Sequence, residues 1–180
     1  MSIHLILGGA RSGKSRHAEA LATTTGYPVS VIATAEGLDD EMRARIERHR
    51  LDRPSGWHTV ECPLRLADAL SSETAPGRCV IVDCLTLWIA NLLGDDERQH
   101  PPASPAAHPA LVREHAALLA TLPRLPGDII LVANEVGLGL VPETPLGRLF
   151  RDEAGRLNQA VATLSDRVSF VAAGLALTLK

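Results

Sequence analysis

Gly8, Gly13, Lys14 and Ser15 satisfy the spacing G-x-x-x-x-G-K-[ST] within the segment GGARSGKS. The segment follows a short apolar run, residues 3–7, and opens a helix-like stretch, residues 14–24. That context gives the spacing its chemistry. Glycines let a loop turn its backbone N–H groups inward onto phosphate oxygens, and a helix N-terminus favours anions. Lys14 is expected to reach the β- and γ-phosphates of a nucleoside triphosphate, and the Ser15 hydroxyl to ligate Mg²⁺. Arg11 and Arg16 flank the loop. A partner acid for the metal is expected at the end of another buried strand, and Val80-Ile81-Val82-Asp83 supplies one.

A second group of residues lies around His49. A helix is expected over residues 39–50, with Asp39, Asp40 and Glu41 in its first turn, where the helix dipole favours acids. Met42, Ile46 and His49 fall on one face of it. Arg50 and Arg53 follow. An imidazole attacks phosphorus only in its neutral form. Neighbouring guanidinium groups favour that form and would stabilise a phosphorus-centred transition state, while a helix C-terminus opposes it. By spacing alone, a histidine among arginines at a helix end reads first as a solvated side chain.

Strand-like runs at residues 29–33, 80–82, 129–133, 168–172 and 175–179 alternate with helical stretches at 64–71, 85–93, 110–122 and 145–165. Thr144 and Pro145 give the last helix its cap and first turn. Continuous apolar strands separated by helices predict a mostly parallel sheet covered on both faces, within one domain spanning residues 1–180. The turn at Gly174 predicts an antiparallel final pair. Residues 94–109, rich in Pro, Ala and charge, are expected to form a surface loop.

Composition narrows the partners. The 180-residue chain is 46% hydrophobic but only 3% aromatic, so its core is aliphatic. A net charge of −3 without a basic block argues against nucleic acid and anionic membranes. No apolar run approaches the roughly 20 residues needed to span a bilayer. The N-terminus carries no charged leader pattern, so a cytoplasmic protein is expected. Cys62, Cys79 and Cys84 have no disulfide or zinc spacing and are expected to be plain thiols. Trp57 and Trp88 are expected to pack rather than to stack on a ligand.

The motifs GGARSGKSRHAEAL, IAT, DDEMRARIERHR-x-x-RP-x-x-W-x-T-V-E, NEVGLGLVP and FRDEAGRLNQAVA occur in order between Ile3 and Lys180. Together they closely resemble the bifunctional adenosylcobinamide kinase / adenosylcobinamide-phosphate guanylyltransferase family of cobalamin biosynthesis. The resemblance implies a P-loop NTPase-like (RecA-like) three-layer αβα fold and a homotrimer. It implies phosphorylation of adenosylcobinamide by ATP or GTP, then transfer of GMP from GTP through a histidine-GMP intermediate. By motif position that histidine is His49; His58, after the Trp, does not match. The implied nucleotide site comprises Gly8, Gly9, Ala10, Arg11, Ser12, Gly13, Lys14 and Ser15. It continues through Ala33, Thr34 and Ala35, then Arg50, Leu51, Asp52 and Arg53, and closes with Glu61 and Asp83. Glu61 is a candidate reader of the guanine edge, and Glu135 a candidate for Mg²⁺ or the corrinoid side. A kinase of another small alcohol would have no use for the His49 and Arg53 arrangement. A GTP-binding switch would carry N-K-x-D after a strand, where this chain has Asn134-Glu135-Val136-Gly137.

Overall fold

A computed structural model describes residues 1–37, 39–95 and 104–180; side chains of 41, 45, 52, 95 and 107 are outside that description. Among these residues seven strands form one sheet: β1 (Ser2–Gly8), β2 (Val29–Ala33), β3 (His58–Glu61), β4 (Cys79–Asp83), β5 (Asp128–Asn134), β6 (Arg167–Ala172) and β7 (Leu175–Thr178). Their spatial order is β3-β2-β4-β5-β1-β6-β7. All neighbours are parallel except β6 and β7, the expected antiparallel pair. Among the described residues six α-helices accompany them: α1 (Lys14–Thr24), α2 (Asp40–Asp52), α3 (Leu66–Glu73), α4 (Leu85–Asp95), α5 (Pro109–Thr121) and α6 (Pro145–Leu164). Among the described residues, no helix is long and apolar enough to cross a membrane.

Side-chain alternation along the strands divides the interior into two layers. Leu5, Val80, Val82, Ile129 and Leu131 face α3 to α6 and form the larger core with Leu70, Leu85, Ile89, Leu118 and Leu157. Ile6, Val31, Ile81, Ile130 and Val132 face the other way, onto Ala18 and Ala22 of α1. Ala residues on α1 let that helix lie close to the sheet. The tryptophans pack as expected: Trp88 is fully buried, its indole N–H donating to the Leu64 carbonyl at 2.6 Å, and Trp57 lies against the α1-side core. Cys79 and Cys84 are buried and Cys62 half-buried, all unpaired.

Three elements depart from the sequence expectations. β3 was not anticipated, because His58-Thr59-Val60-Glu61 has no apolar run; it is a short edge strand whose backbone pairing with β2 decides its conformation. Asp39 is the N-cap of α2 rather than part of its first turn, its carboxylate accepting from the Met42 N–H at 2.7 Å. Both ends of the segment expected as a loop over 94–109 belong to helical elements. Gly94 and Asp95 close α4, Pro105–Ala107 form a 3₁₀ turn and His108 is buried, while residues 96–103 lie outside the described residues.

The cap of α6 is as expected: the Thr144 hydroxyl accepts from the Gly147 N–H at 3.1 Å. Thr144→Ala removes that acceptor and is expected to lower stability by about 1 kcal/mol, read from a urea midpoint shift at unchanged slope.

Candidate active site

The carboxyl ends of the parallel strands converge on one edge, where open α/β sheets bind ligands. Register places the chemistry there: Gly8 lies opposite Asn134, and Ala33 opposite both Asp83 and Glu61.

The loop from Gly8 to Ser15 is shaped by its glycines and by a neighbour. A Cβ on Gly8 would sit 2.4 Å from the Val171 carbonyl oxygen and 2.6 Å from Ser12 Oγ, so only glycine fits. Gly13 has φ 97°, a left-handed conformation that glycine adopts without strain. Lys14 curls back so that Nζ donates to the Gly9 carbonyl at 3.1 Å. The β6–β7 turn braces the loop from outside: the Gly174 N–H donates to the Ser12 carbonyl at 2.8 Å. The terminal hairpin is therefore part of the phosphate cradle's support, a role no local sequence pattern signals.

α2 leans over the same edge. Its Met42, Ile46 and His49, the three residues expected on one face, line a cleft with Lys14, Ser15, Ala33, Ala35, Arg50, Arg53, Glu61 and Asp83. The cleft encloses about 740 Å³, its open mouth included. Two ion pairs tie α2 to the sheet. Arg53 Nη2 lies 3.4 Å from Asp83 Oδ2, with the Arg53 side chain only 6% exposed, while Arg50 Nη1 lies 3.7 Å from Glu61 Oε1 on the exposed rim. The first is shielded from water and fixes the end of α2 over β4; the second is a solvated pair of small worth. Arg53 Nη1 also faces the Thr59 hydroxyl at 3.5 Å, which recruits β3.

The expected nucleotide residues do not all converge. Thr34 is fully buried, and its hydroxyl staples β2 to β4 by donating to the Cys84 carbonyl at 2.7 Å and accepting from the Cys84 N–H at 2.9 Å. Leu51 is 75% exposed and outside the cleft lining, and the Asp52 side chain is outside the described residues. Ala10 and Arg11 are exposed on the loop. Glu135 lines a separate depression beside α6, and its Oε1 accepts from the Gly137 N–H at 2.6 Å. Thr59, Cys84, Leu87 and Asn134 line the cleft without having been expected there. The Cys84 thiol is pushed up to about 11 by burial, with the Asp83 carboxylate adding to it, so it stays protonated and inert at neutral pH.

Ser15 and Asp83 share the cleft, and a hydroxyl with a carboxylate suits Mg²⁺, which takes few protein oxygens and completes its shell with phosphate and water. Among the described residues no group of three or more His, Cys, Asp or Glu side chains could hold a metal alone. The arrangement can therefore grip a triphosphate, neutralise it with lysine, arginine and a divalent cation, and present an imidazole to one of its phosphorus atoms.

The sequence model of the family described as cobinamide kinase / cobinamide phosphate guanyltransferase matches residues 4–179. The bifunctional adenosylcobalamin biosynthesis protein CobP of Pseudomonas aeruginosa is 54% identical over 176 residues, covering 98% of this chain and 96% of that protein. The Escherichia coli K12 protein of the same description, CobU, is 44% identical over 179 residues, covering 98% of each chain. Among solved structures, a type III secretion system ATPase of pathogenic bacteria superposes with TM-score 0.54 at 9% identity, and EscN of enteropathogenic E. coli with 0.53 at 12%. Each covers 98% of this chain, which spans 56% and 47% of those ATPases. At that identity the likeness is one of fold.

Proposed function

The chain belongs to the cobinamide kinase / cobinamide phosphate guanyltransferase family, and we propose that its single cleft performs both reactions in succession. The protein is a bifunctional enzyme of adenosylcobalamin biosynthesis. The observation that carries the one-cleft reading is the shared lining: Lys14, Ser15 and Asp83 face the same space as His49, Arg50 and Arg53.

In the first reaction the aminopropanol hydroxyl of adenosylcobinamide attacks the γ-phosphorus of ATP or GTP, and the nucleoside diphosphate leaves. Lys14 and the inward N–H groups of residues 8–15 hold the phosphates and offset their charge. Ser15 and Asp83 would hold Mg²⁺, which spreads that charge over phosphate oxygens when bound. In the second reaction neutral His49 attacks the α-phosphorus of GTP and pyrophosphate leaves. The phosphate of adenosylcobinamide phosphate then displaces the imidazole, giving adenosylcobinamide-GDP. Splitting the transfer into two displacements is covalent catalysis, and Arg50 and Arg53 supply positive charge beside the reacting phosphorus. Glu61, on the rim beside Arg50, accepts from the guanine N1–H and amine.

One cradle must show a different phosphorus to each nucleophile, so α2 shifts between the two steps. The Arg53–Asp83 pair is the contact such a shift must break. The enzyme is cytoplasmic and homo-oligomeric, a trimer by resemblance; Leu175 and Leu177, exposed on the edge strand β7, are residues that self-association would cover.

Labelled GTP tests this reading. With the α-phosphate labelled, the protein is expected to take up acid-labile label that chases into product when adenosylcobinamide phosphate is added. With the γ-phosphate labelled, label passes to adenosylcobinamide. A protein that forms adenosylcobinamide-GDP without ever carrying α-label would rule out the histidine intermediate.

A further inference from the structure

The carboxyl end of β5 carries a side chain that neither reaction, as drawn, employs. Asn134 sits opposite Gly8 in register, on the strand that lies between β1, which feeds the phosphate loop, and β4, which ends at Asp83. Its main chain is held from two helices. The Asn134 N–H donates to the Thr86 hydroxyl of α4 at 2.7 Å, and its carbonyl accepts from the Asn158 amide of α6 at 3.4 Å. Thr86 and Asn158 are both buried, so two enclosed polar side chains are committed to fixing this one residue. The side chain so positioned lines the cleft with Lys14, Ser15 and Asp83. Its Oδ1 is enclosed, yet has no hydrogen-bond partner among the described residues.

A buried acceptor without a donor is unfavourable, and such an atom in a reaction cleft marks a place where a ligand completes the bonding. The chemistry of that ligand follows from the atom. An amide oxygen takes a donor, and a triphosphate bound as in the proposed reactions brings its charged oxygens, which are acceptors, to this end of the cleft. The donor that the first reaction brings to the γ-phosphate is the hydroxyl of the acceptor alcohol. We infer that Asn134 Oδ1 accepts the hydrogen bond of that hydroxyl and turns an oxygen lone pair toward the γ-phosphorus. The hydroxyl oxygen forms the new O–P bond as the bond to the β,γ-bridging oxygen breaks. The nucleoside diphosphate departs with that electron pair, and the hydroxyl proton passes to an oxygen of the transferred phosphoryl group. Asn134 exchanges no proton; it fixes direction, which alone is worth a large factor in rate when the reacting atoms must align. The second reaction brings a phosphate oxygen, itself an acceptor, to the α-phosphorus and has no attacking hydroxyl for Asn134 to orient, so the residue serves one step and not the other.

The inference rests on the proposed kinase reaction, and Asn134→Ala separates the two. Phosphorylation of adenosylcobinamide is expected to lose about 10- to 100-fold in kcat, with the KM for the nucleotide changed by less than about twofold. Label from α-labelled GTP should still reach His49 at the unsubstituted rate, which also shows that the cleft is folded. Unchanged kcat in the variant would overturn the inference, as would equal losses in phosphorylation and labelling, since a residue that merely supports the phosphate loop would affect both. Failure of the unsubstituted protein to phosphorylate adenosylcobinamide would instead overturn the proposed kinase reaction itself.

Discussion

His49→Ala is expected to leave the protein unable to accept label from α-labelled GTP and to reduce adenosylcobinamide-GDP formation by about 10³-fold or more, the scale on which removing a covalent nucleophile acts. Phosphorylation of adenosylcobinamide should stay within a few-fold. The expectation follows from placement. His49 lies in the last turn of α2 and faces the cleft that also holds Lys14 and Ser15. The cleft wall also carries the Cys84 thiol, which burial pushes up to about 11, so it stays protonated at pH 7. His58 begins β3, exposed and outside the cleft lining. His49 is half-buried, and its replacement leaves the Arg53–Asp83 tie of α2 in place, so the helix should keep its position. A variant labelled as fast as the unsubstituted protein would remove His49 from the mechanism.

Lys14→Ala is expected to cost both activities together, each by about 10²- to 10³-fold, the effect of removing one preorganised donor aimed at developing charge. Lys14 is buried at the first turn of α1, and its ammonium is already drawn over the loop by the Gly9 carbonyl. If one cradle grips the triphosphate in both steps, one lysine must matter to both. Phosphorylation and His49 labelling, measured side by side at saturating nucleotide, check this directly. Loss of phosphorylation with labelling intact would mean that GTP for the second step binds elsewhere, and the one-cleft reading would fall. A thermal melt of the variant separates this from instability.

Together the two substitutions and Asn134→Ala divide the cleft by function. On the proposed reading Lys14 belongs to the triphosphate and serves both steps, His49 serves nucleotidyl transfer, and Asn134 serves the alcohol. Arg53 bridges these parts. Its shielded pair with Asp83 joins the helix that carries the proposed nucleophile to the strand that carries the acid proposed to hold Mg²⁺. The proposed shift of α2 therefore has to exchange one partner of Asp83 for another, a coupling between the two half-reactions built from a single ion pair.

The amino-acid sequence by itself determined the phosphate loop, because strand, glycine turn and helix start are encoded within a dozen contiguous residues and their chemistry is local. It determined most of the sheet for the same reason: residues 29–33, 80–82 and 129–133 are apolar without interruption, which suits strands buried on both faces. His49 was visible only as a residue type among arginines, and the family resemblance, not spacing, singled it out. What the tertiary structure decided depends on pairings between distant segments. β3 exists because β2 offers it hydrogen bonds, not because its polar residues favour a strand. Thr34 stands behind the cleft lining because its hydroxyl meets the backbone of Cys84 across two strand ends. Gly174 joined the phosphate loop, and Asn134 the cleft, because parallel register sets which strand ends share an edge. Local patterning fixes which segments are strands and helices; long-range backbone register fixes which side chains meet, and the site is made of the meetings.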